Sequence, residues 1–507
     1  MVISSKKMDN KTFQQISPYQ YRVASRKVPI IFHLQSSLFP NEEALEQLQA
    51  VAETPGVFHH VAVLSDVHPK KGRKCPTGVA VASEKFLPQV MDTAPNCGMR
   101  MISLSLKHSE VSQVQIDSIF KNLVKEVPTQ AFRGEKIDHQ TVLDICRFGS
   151  EGVIKNKGKE LSFLPNELEH SLGRGNEFSP AEIPKKKDLE AVIPKIFLRM
   201  AKYRLGILGM AGNHFLDLMK VENILDGENA SRIGLEKDQL VFFMHTGSGI
   251  LGQYLSYFYT PKEEEHLLTK IILNLGRLGM PKKFLTGKEI KKLRKDSLSY
   301  RAKKEFFTLD PNSRVGEAYY LSHRASGNFG YANRAVLSAK IRKVVEKELN
   351  KKINWSLIYD MPHIGVRKEN HYGKDVWVHR NGVSRAFGPK RMSDHPIFSQ
   401  TGEPCFFAGS MTTPSYLALA TDDNVSTFFS ASHGAGKKKD APRDFSKEEL
   451  FKKLNKDGVR LYNAKSRGVV KQYSDYYKNI NEVMEGIKEN KIARPVARLA
   501  PIAVLMA

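Results

Sequence analysis

Residues 61–82 read VAVLSDVHPKKGRKCPTGVAVA. Five apolar or small residues, Val61 to Ser65, form a strand-like run that ends in Asp66 and His68. A basic loop, PKKGRKCPTG, follows, and then a second apolar run, VAVA, at 79–82. Two short apolar runs bounded by Gly and Pro are the pattern of buried strands, and polar residues at a strand end are where sites are commonly built. Upstream, EEALEQLQAVAE at 42–53 spaces Ala44, Leu45, Leu48, Ala50 and Val51 along one face, and PG ends it. The reading is a helix feeding a strand.

The same periodicity predicts a helix at 112–127, SQVQIDSIFKNLVKEV, stopped by Pro128. Another is predicted at 331–349, YANRAVLSAKIRKVVEKEL, with Asn328, Asn333 and Arg334 near its start. An amphipathic core helix accounts for most of that segment. Helices interleaved with strands, and no long Pro/Gly/Ser linker, indicate an α/β (α+β) chain in one large domain with insertions.

Bulk properties narrow the function classes. The 507 residues with 41% hydrophobic content can bury a large core. The net charge of +24 favours a polyanionic partner such as nucleic acid, although a lysine-rich solvated surface gives the same number. Polar, basic stretches at 149–190 and 260–300, the second containing KKFLTGKEIKKLRK, read as surface insertions that either contact RNA or face water. Cys75, Cys97, Cys146 and Cys405 show no CxxC spacing, which argues against a disulfide framework or a zinc ribbon and fits a reducing, cytoplasmic setting. No apolar run is long enough for a membrane span, and no signal peptide opens the chain.

Five segments share one design: an apolar run ending in His or Cys among small residues. They are PNCGMR at 95–100, LGMAGNHFLD at 208–217, FFMHTGSG at 242–249, IYDMPHIG at 358–365 and SASHGAGK at 430–437. Small neighbours let a ligand approach the backbone, and imidazole can ligate or attack. One such histidine is ordinarily structural; His214, His245, His363 and His433 together with Cys97 form a candidate metal and catalytic set. Thiolate and imidazole suit manganese, iron, cobalt or zinc. In SASHGAGK, backbone N–H groups at Gly434, Ala435 and Gly436 are candidates for a phosphate cradle beside a nucleophilic His433. AGSMTTPSY at 408–416 contributes Ala408, Gly409, Ser410, Met411 and Ser415 as candidate nucleotide contacts, or is simply a turn between strands.

These segments, with EEALEQLQAVAETPG, LSDVHPKKG, NFGYANR, HRNGVSRAF, YYKNINEV and VARLAP, occur in the order and context of the RtcB RNA ligases, which the chain resembles from about residue 42 onward. The resemblance implies one RtcB-like domain over 42–507, with residues 1–41 an N-terminal extension packed on it. It implies two manganese ions, GTP, and RNA partners carrying a 3′-phosphate or 2′,3′-cyclic phosphate and a 5′-hydroxyl. No membrane is implied, and a monomer is compatible.

Position by position, the resemblance makes His433 the guanylated nucleophile, with Cys97 shared by two ions, His245 and His363 on one and His214 on the other. Asn213, His214, Asp217, His363, Ile364, Ala408, Gly409, Ser410, Met411, Ser415, Gly434, Ala435, Gly436, Tyr477 and Met506 fall at guanylate-contacting positions. Asp66, Arg334 and Arg385 are candidates for RNA-end contacts or for supporting the ligands.

The chain departs from the family pattern at several points. Ala94 stands where an aspartate usually precedes the cysteine, Ile364 where an asparagine follows the fourth ligand, Lys437 where an arginine follows HGAG, Met506 where a lysine contacts guanine, and Asp217 where a glutamate is usual. The expected consequence is a weakened second metal site and altered nucleotide use. An RNA-end-binding homologue with impaired turnover and a metal-dependent cyclic phosphoesterase are therefore the alternative functions.

Overall fold

The computed structural model describes residues 5–8, 11–69, 75–91, 95–129, 133–209, 213–259, 306–442, 444–463 and 468–507, plus single helical positions between 271 and 295. Ala94 and most of the basic stretch at 260–300 lie outside the described residues.

The apolar run at 61–65 belongs to a longer strand, Val57–His68, which carries Asp66 and His68 on its end. Its partner, Thr77–Ser83, is buried along its whole length. Both sit in an eight-stranded sheet whose order is Ser5–Met8, Lys11–Ser17, Gln20–Val23, Ile30–Phe32, Val57–His68, Thr77–Ser83, Lys374–Asn381, Ile364–His371. Residues 5–32 thus supply four of its strands, joined to the rest where Ile30–Phe32 pairs parallel with Val61–Val63.

A second sheet holds eight strands, seven of them in the order Trp355–Pro362, Gly98–Lys107, Gln239–Thr246, Phe215–Ile224, Ala493–Met506, Ser415–Ala420, Pro404–Phe407, with the two-residue strand Arg460–Leu461 pairing parallel to Ala493–Met506. Its two faces are both covered, because alternate residues of one strand enter different clusters. Met99 and Met101 pack with Phe243 and Tyr359, while Ile102 and Leu104 pack with Phe242 and Leu216. A short ribbon, Val383–Arg385 with Ser430–Ser432, lies beside the sheets and leads directly into His433.

The helix Glu42–Ala52 starts where Asn41 accepts a hydrogen bond from the Ala44 N–H. Gln113–Glu126 starts in a capping box between Ser112 and Gln115. The helix expected at 331–349 is instead Arg314–Glu348, 35 residues long. Its polar positions mislead because they are not at its start: Asn328 Nδ2 donates to Cys146 O (3.0 Å) and Asn333 Nδ2 to Ile207 O (2.9 Å). Gly330 weakens the helical pattern for a different reason: a Cβ there would lie 2.8 Å from Asn96 O. Burial against neighbouring backbone overrides local propensity here.

The 149–190 stretch is not merely a surface arm. Besides the helix Ser150–Lys157, it sends Glu167 into the core, where Arg100 binds it.

Candidate metal and nucleotide site

The two sheets deliver their strand ends to one place. Gly98–Lys107 begins immediately after Cys97, Phe215–Ile224 immediately after His214, Gln239–Thr246 contains His245, and Trp355–Pro362 ends immediately before His363. Strand register sets their spacing: Met99 pairs with His245, and His245 with Phe215.

Cys97 Sγ lies 3.1 Å from His245 Nε2 and 3.4 Å from His214 Nε2, and His245 Nε2 lies 2.9 Å from His363 Nε2. The ligand atoms of Cys97, His245 and His363 all fall within 4.8 Å of one another. The remaining ring nitrogens are oriented by backbone: His214 Nδ1 lies 2.9 Å from Leu208 O, and His245 Nδ1 3.1 Å from Asn213 O. Protonated Nδ1 groups donating to these carbonyls turn the Nε2 lone pairs toward the sulfur, the arrangement a metal ligand requires. Burial favours the same neutral state, holding His214 down at about 4 and His245 well below the usual imidazole range. A soft sulfur and converging neutral imidazoles fit a divalent transition ion held by Cys97, His245 and His363, with His214 reaching the same sulfur.

A buried ionic network supports the cysteine. Asn96, the residue before it, has φ +56°, a left-handed conformation that asparagine tolerates better than most residues. Arg334, with no exposed side-chain surface, donates to Asn96 O (3.0 Å), Asn96 Oδ1 (2.7 Å) and Thr246 O (3.0 Å), so it grips the residues flanking both Cys97 and His245. Asp360 holds Arg334 Nε at 2.8 Å and Arg100 Nη1 at 2.7 Å, and Glu167 completes the set on Arg100. The backbone N–H of His363 donates to Cys97 O at 2.9 Å, tying two ligands directly. Arg334 is wholly buried, and its guanidinium hydrogen bonds go to the backbone and side chains around Cys97 and His245 and to Asp360. Arg385 is likewise occupied, pairing with buried Glu403 at 2.8 Å.

His433 stacks on His363 with ring centroids 4.1 Å apart and 4° between planes. Its Nδ1 lies 2.7 Å from Gly382 O and 3.0 Å from Asp66 Oδ2, two acceptors that call for a proton on Nδ1. Asp66 is 2% exposed. Burial works against its charge, but His433 and His68 beside it hold the carboxylate well below its ordinary range. Asp66 thus contacts His433 directly and also lines the surrounding cleft.

Around these residues runs a cleft of about 950 Å³ including its open mouth. Asn213, Asp217, Ile364, Ala408, Gly409, Ser410, Met411, Ser415, Gly434, Ala435, Gly436, Tyr477 and Met506 all line it, beside His245, His363 and His433. The cradle expected from three consecutive N–H groups is smaller than the sequence suggested. Ala435 N–H donates to Ala408 O at 2.9 Å, because residues 408 and 434 pair as a bridge, which removes that donor. Asp217 is buried, its Oδ1 has no hydrogen-bond partner among the described residues, and burial raises its pKa well above the usual range. Sequence reading did not single out Thr77, Phe215, Gly382, Gln472 and Lys478, although Phe215 follows His214, Lys478 follows Tyr477, and Thr77 and Gly382 lie within quoted segments.

Fold and site define a mixed α/β protein with a cysteine–histidine cluster that could hold a metal ion, at the floor of a cleft. The chain belongs to the RtcB family: the family model described as tRNA-splicing ligase RtcB matches residues 47–507. It is 30% identical to the tRNA-splicing ligase RtcB of Thermococcus kodakarensis over 91% of each chain, and 28% identical to that of Methanococcus maripaludis over 98% of each. It is 26% identical to the RNA-splicing ligase RtcB homolog 1 of Entamoeba dispar, over 91% of this chain and 81% of that one. Family membership supports an RNA ligase function. Among the described residues, no helix is long and apolar enough to cross a membrane.

Proposed function

We propose that this protein is a GTP- and manganese-dependent RNA ligase that joins a 3′-phosphate or 2′,3′-cyclic phosphate end to a 5′-hydroxyl through a guanylated His433, in the cytoplasm. The observation that carries the reading is the position of His433: stacked on His363 of the metal cluster, its Nδ1 proton held by Gly382 O and Asp66, inside the cleft.

Cys97, His245 and His363 would hold one ion, and Cys97 with His214 a second. When bound, GTP supplies the guanylate that His433 takes up with loss of pyrophosphate, and manganese supplies positive charge against the phosphates. The protein's own contribution is orientation. Asp66 and Gly382 O keep Nδ1 protonated, so the Nε2 lone pair is the nucleophile and the positive charge that develops on the ring is stabilised by the Asp66 carboxylate. Asp217 offers a buried oxygen to the donor edge of a guanine, which would satisfy Oδ1. Ser410, Ser415 and Tyr477 add hydroxyls around the cleft, and Met506 with Met411 and Val504 gives it an apolar wall.

The test incubates the protein with manganese and GTP labelled at the α-phosphate, then with RNA bearing a 2′,3′-cyclic phosphate and a 5′-hydroxyl. Wild type should acquire acid-labile label and transfer it, and His433→Ala should acquire none. Label retained by His433→Ala refutes the assignment.

A further inference from the structure

The strand that carries Asp66 does not keep its ladder to the end. Val63 pairs with Val79 and His68 with Thr77, so four residues, Leu64 to Val67, stand opposite Gly78 alone. Such an irregularity re-aims side chains and leaves backbone groups outside the sheet's hydrogen bonding. Gly78 permits it: at φ +78°, a Cβ there would sit 2.3 Å from Val67 N.

Lys478 closes the gap. Its side chain is buried, and Nζ donates to Ser65 O at 2.6 Å and Val67 O at 2.9 Å, the two carbonyls flanking Asp66. Its own backbone N–H donates to Gly436 O at 3.0 Å. Gly436 in turn packs on Asp66 so closely that a Cβ would lie 2.4 Å from Asp66 Oδ1. One residue thus ties the distorted strand end to the loop after His433. Burying an ammonium is costly unless its donors are used, and here two carbonyls that the ladder abandons use them.

We infer that Lys478 is a positioning residue for guanylate transfer: by bracing Ser65 and Val67 it fixes the Asp66 carboxylate on His433 Nδ1. The inference rests on the reading of His433 as the nucleophile. Lys478 does not line the cleft, so its effect falls on the rate of transfer to His433 and not on nucleotide or metal capture.

The experiment measures labelling of His433 from α-labelled GTP with manganese for wild type, His433→Ala, Lys478→Met, Lys478→Arg, Asp66→Asn and the Asp66→Asn/Lys478→Met double variant. Lys478→Met should slow labelling at saturating GTP by roughly ten- to a hundredfold, the scale of an ångström-level misplacement. Half-saturating GTP and bound manganese should stay within about twofold of wild type, and Lys478→Arg should recover most of the rate. In the Asp66→Asn background, Lys478→Met should have no further effect, because residues acting through one another are not additive. A merely structural role would instead lower metal content and melting temperature and multiply with Asp66→Asn. If Lys478→Met does not fold, Lys478→Gln, shorter and uncharged but still a donor, takes its place in the cycle. Wild-type labelling rates in the Lys478 variant, or equal losses in both backgrounds, overturn the inference alone. No label on wild type, or label on His433→Ala, overturns the reading of His433 and this inference with it.

Discussion

Replacing Asp360 with asparagine keeps the shape of the residue and removes one charge from the network behind the cysteine–histidine cluster. The wild-type network balances two guanidinium groups, Arg100 and Arg334, against two carboxylates, Asp360 and Glu167, all nearly or wholly inaccessible to solvent. The variant leaves a net buried positive charge, and breaking a buried ion pair in this way costs about 3–5 kcal/mol. With a urea slope near 3 kcal/mol/M, the midpoint of unfolding should fall by about 1–2 M. The loss should also appear at the metal, because Arg334 fixes Asn96 and Thr246 beside Cys97 and His245. Equilibrium urea denaturation and metal content after dialysis against manganese measure the two effects. A midpoint shift below about 0.3 M with full metal uptake would refute the reasoning, since it would mean the network carries less than about 1 kcal/mol.

Gly330→Ala should raise helix propensity by about 1 kcal/mol yet destabilise the protein and weaken metal binding, because the new Cβ meets Asn96 O at 2.8 Å and Asn96 Cβ at 3.2 Å. Thermal melting with a metal titration separates this from a simple helix effect, and a stabilised, metal-replete variant would contradict it. Acid should unfold the protein through histidines remote from the cleft. Burial lowers His33 and His379 to about 4 and His60 to about 3. The folded state therefore binds fewer protons than the unfolded chain below pH 6.5. Their contribution is complete above that pH and is lost as pH falls toward 4, on the order of 3 kcal/mol for each of His33 and His379. Urea midpoints from pH 7 to 4.5 should fall steeply, and a flat profile would show that these rings are protonated in the folded state.

The amino-acid sequence by itself determined much of this protein. The apolar runs and helical periodicity marked Val57–His68, Thr77–Ser83, Glu42–Ala52 and Gln113–Glu126 to within a few residues, since period and capping are local properties. The same reading singled out Cys97, His214, His245, His363 and His433 as a set, because a reactive side chain among small residues is visible in one dimension. Tertiary structure alone shows what the other polar residues touch. That Arg334 meets Asp360, 26 residues later, and Arg385 meets Glu403 could not be read from the order of residues. The early start of the Arg314–Glu348 helix, the loss of the Ala435 donor to Ala408, the burial of Glu167 and the bracing by Lys478 also depend on partners distant in sequence. Such contacts are fixed by how strands from two sheets meet, and periodicity, which records only which face of an element is apolar, carries no record of what that face meets.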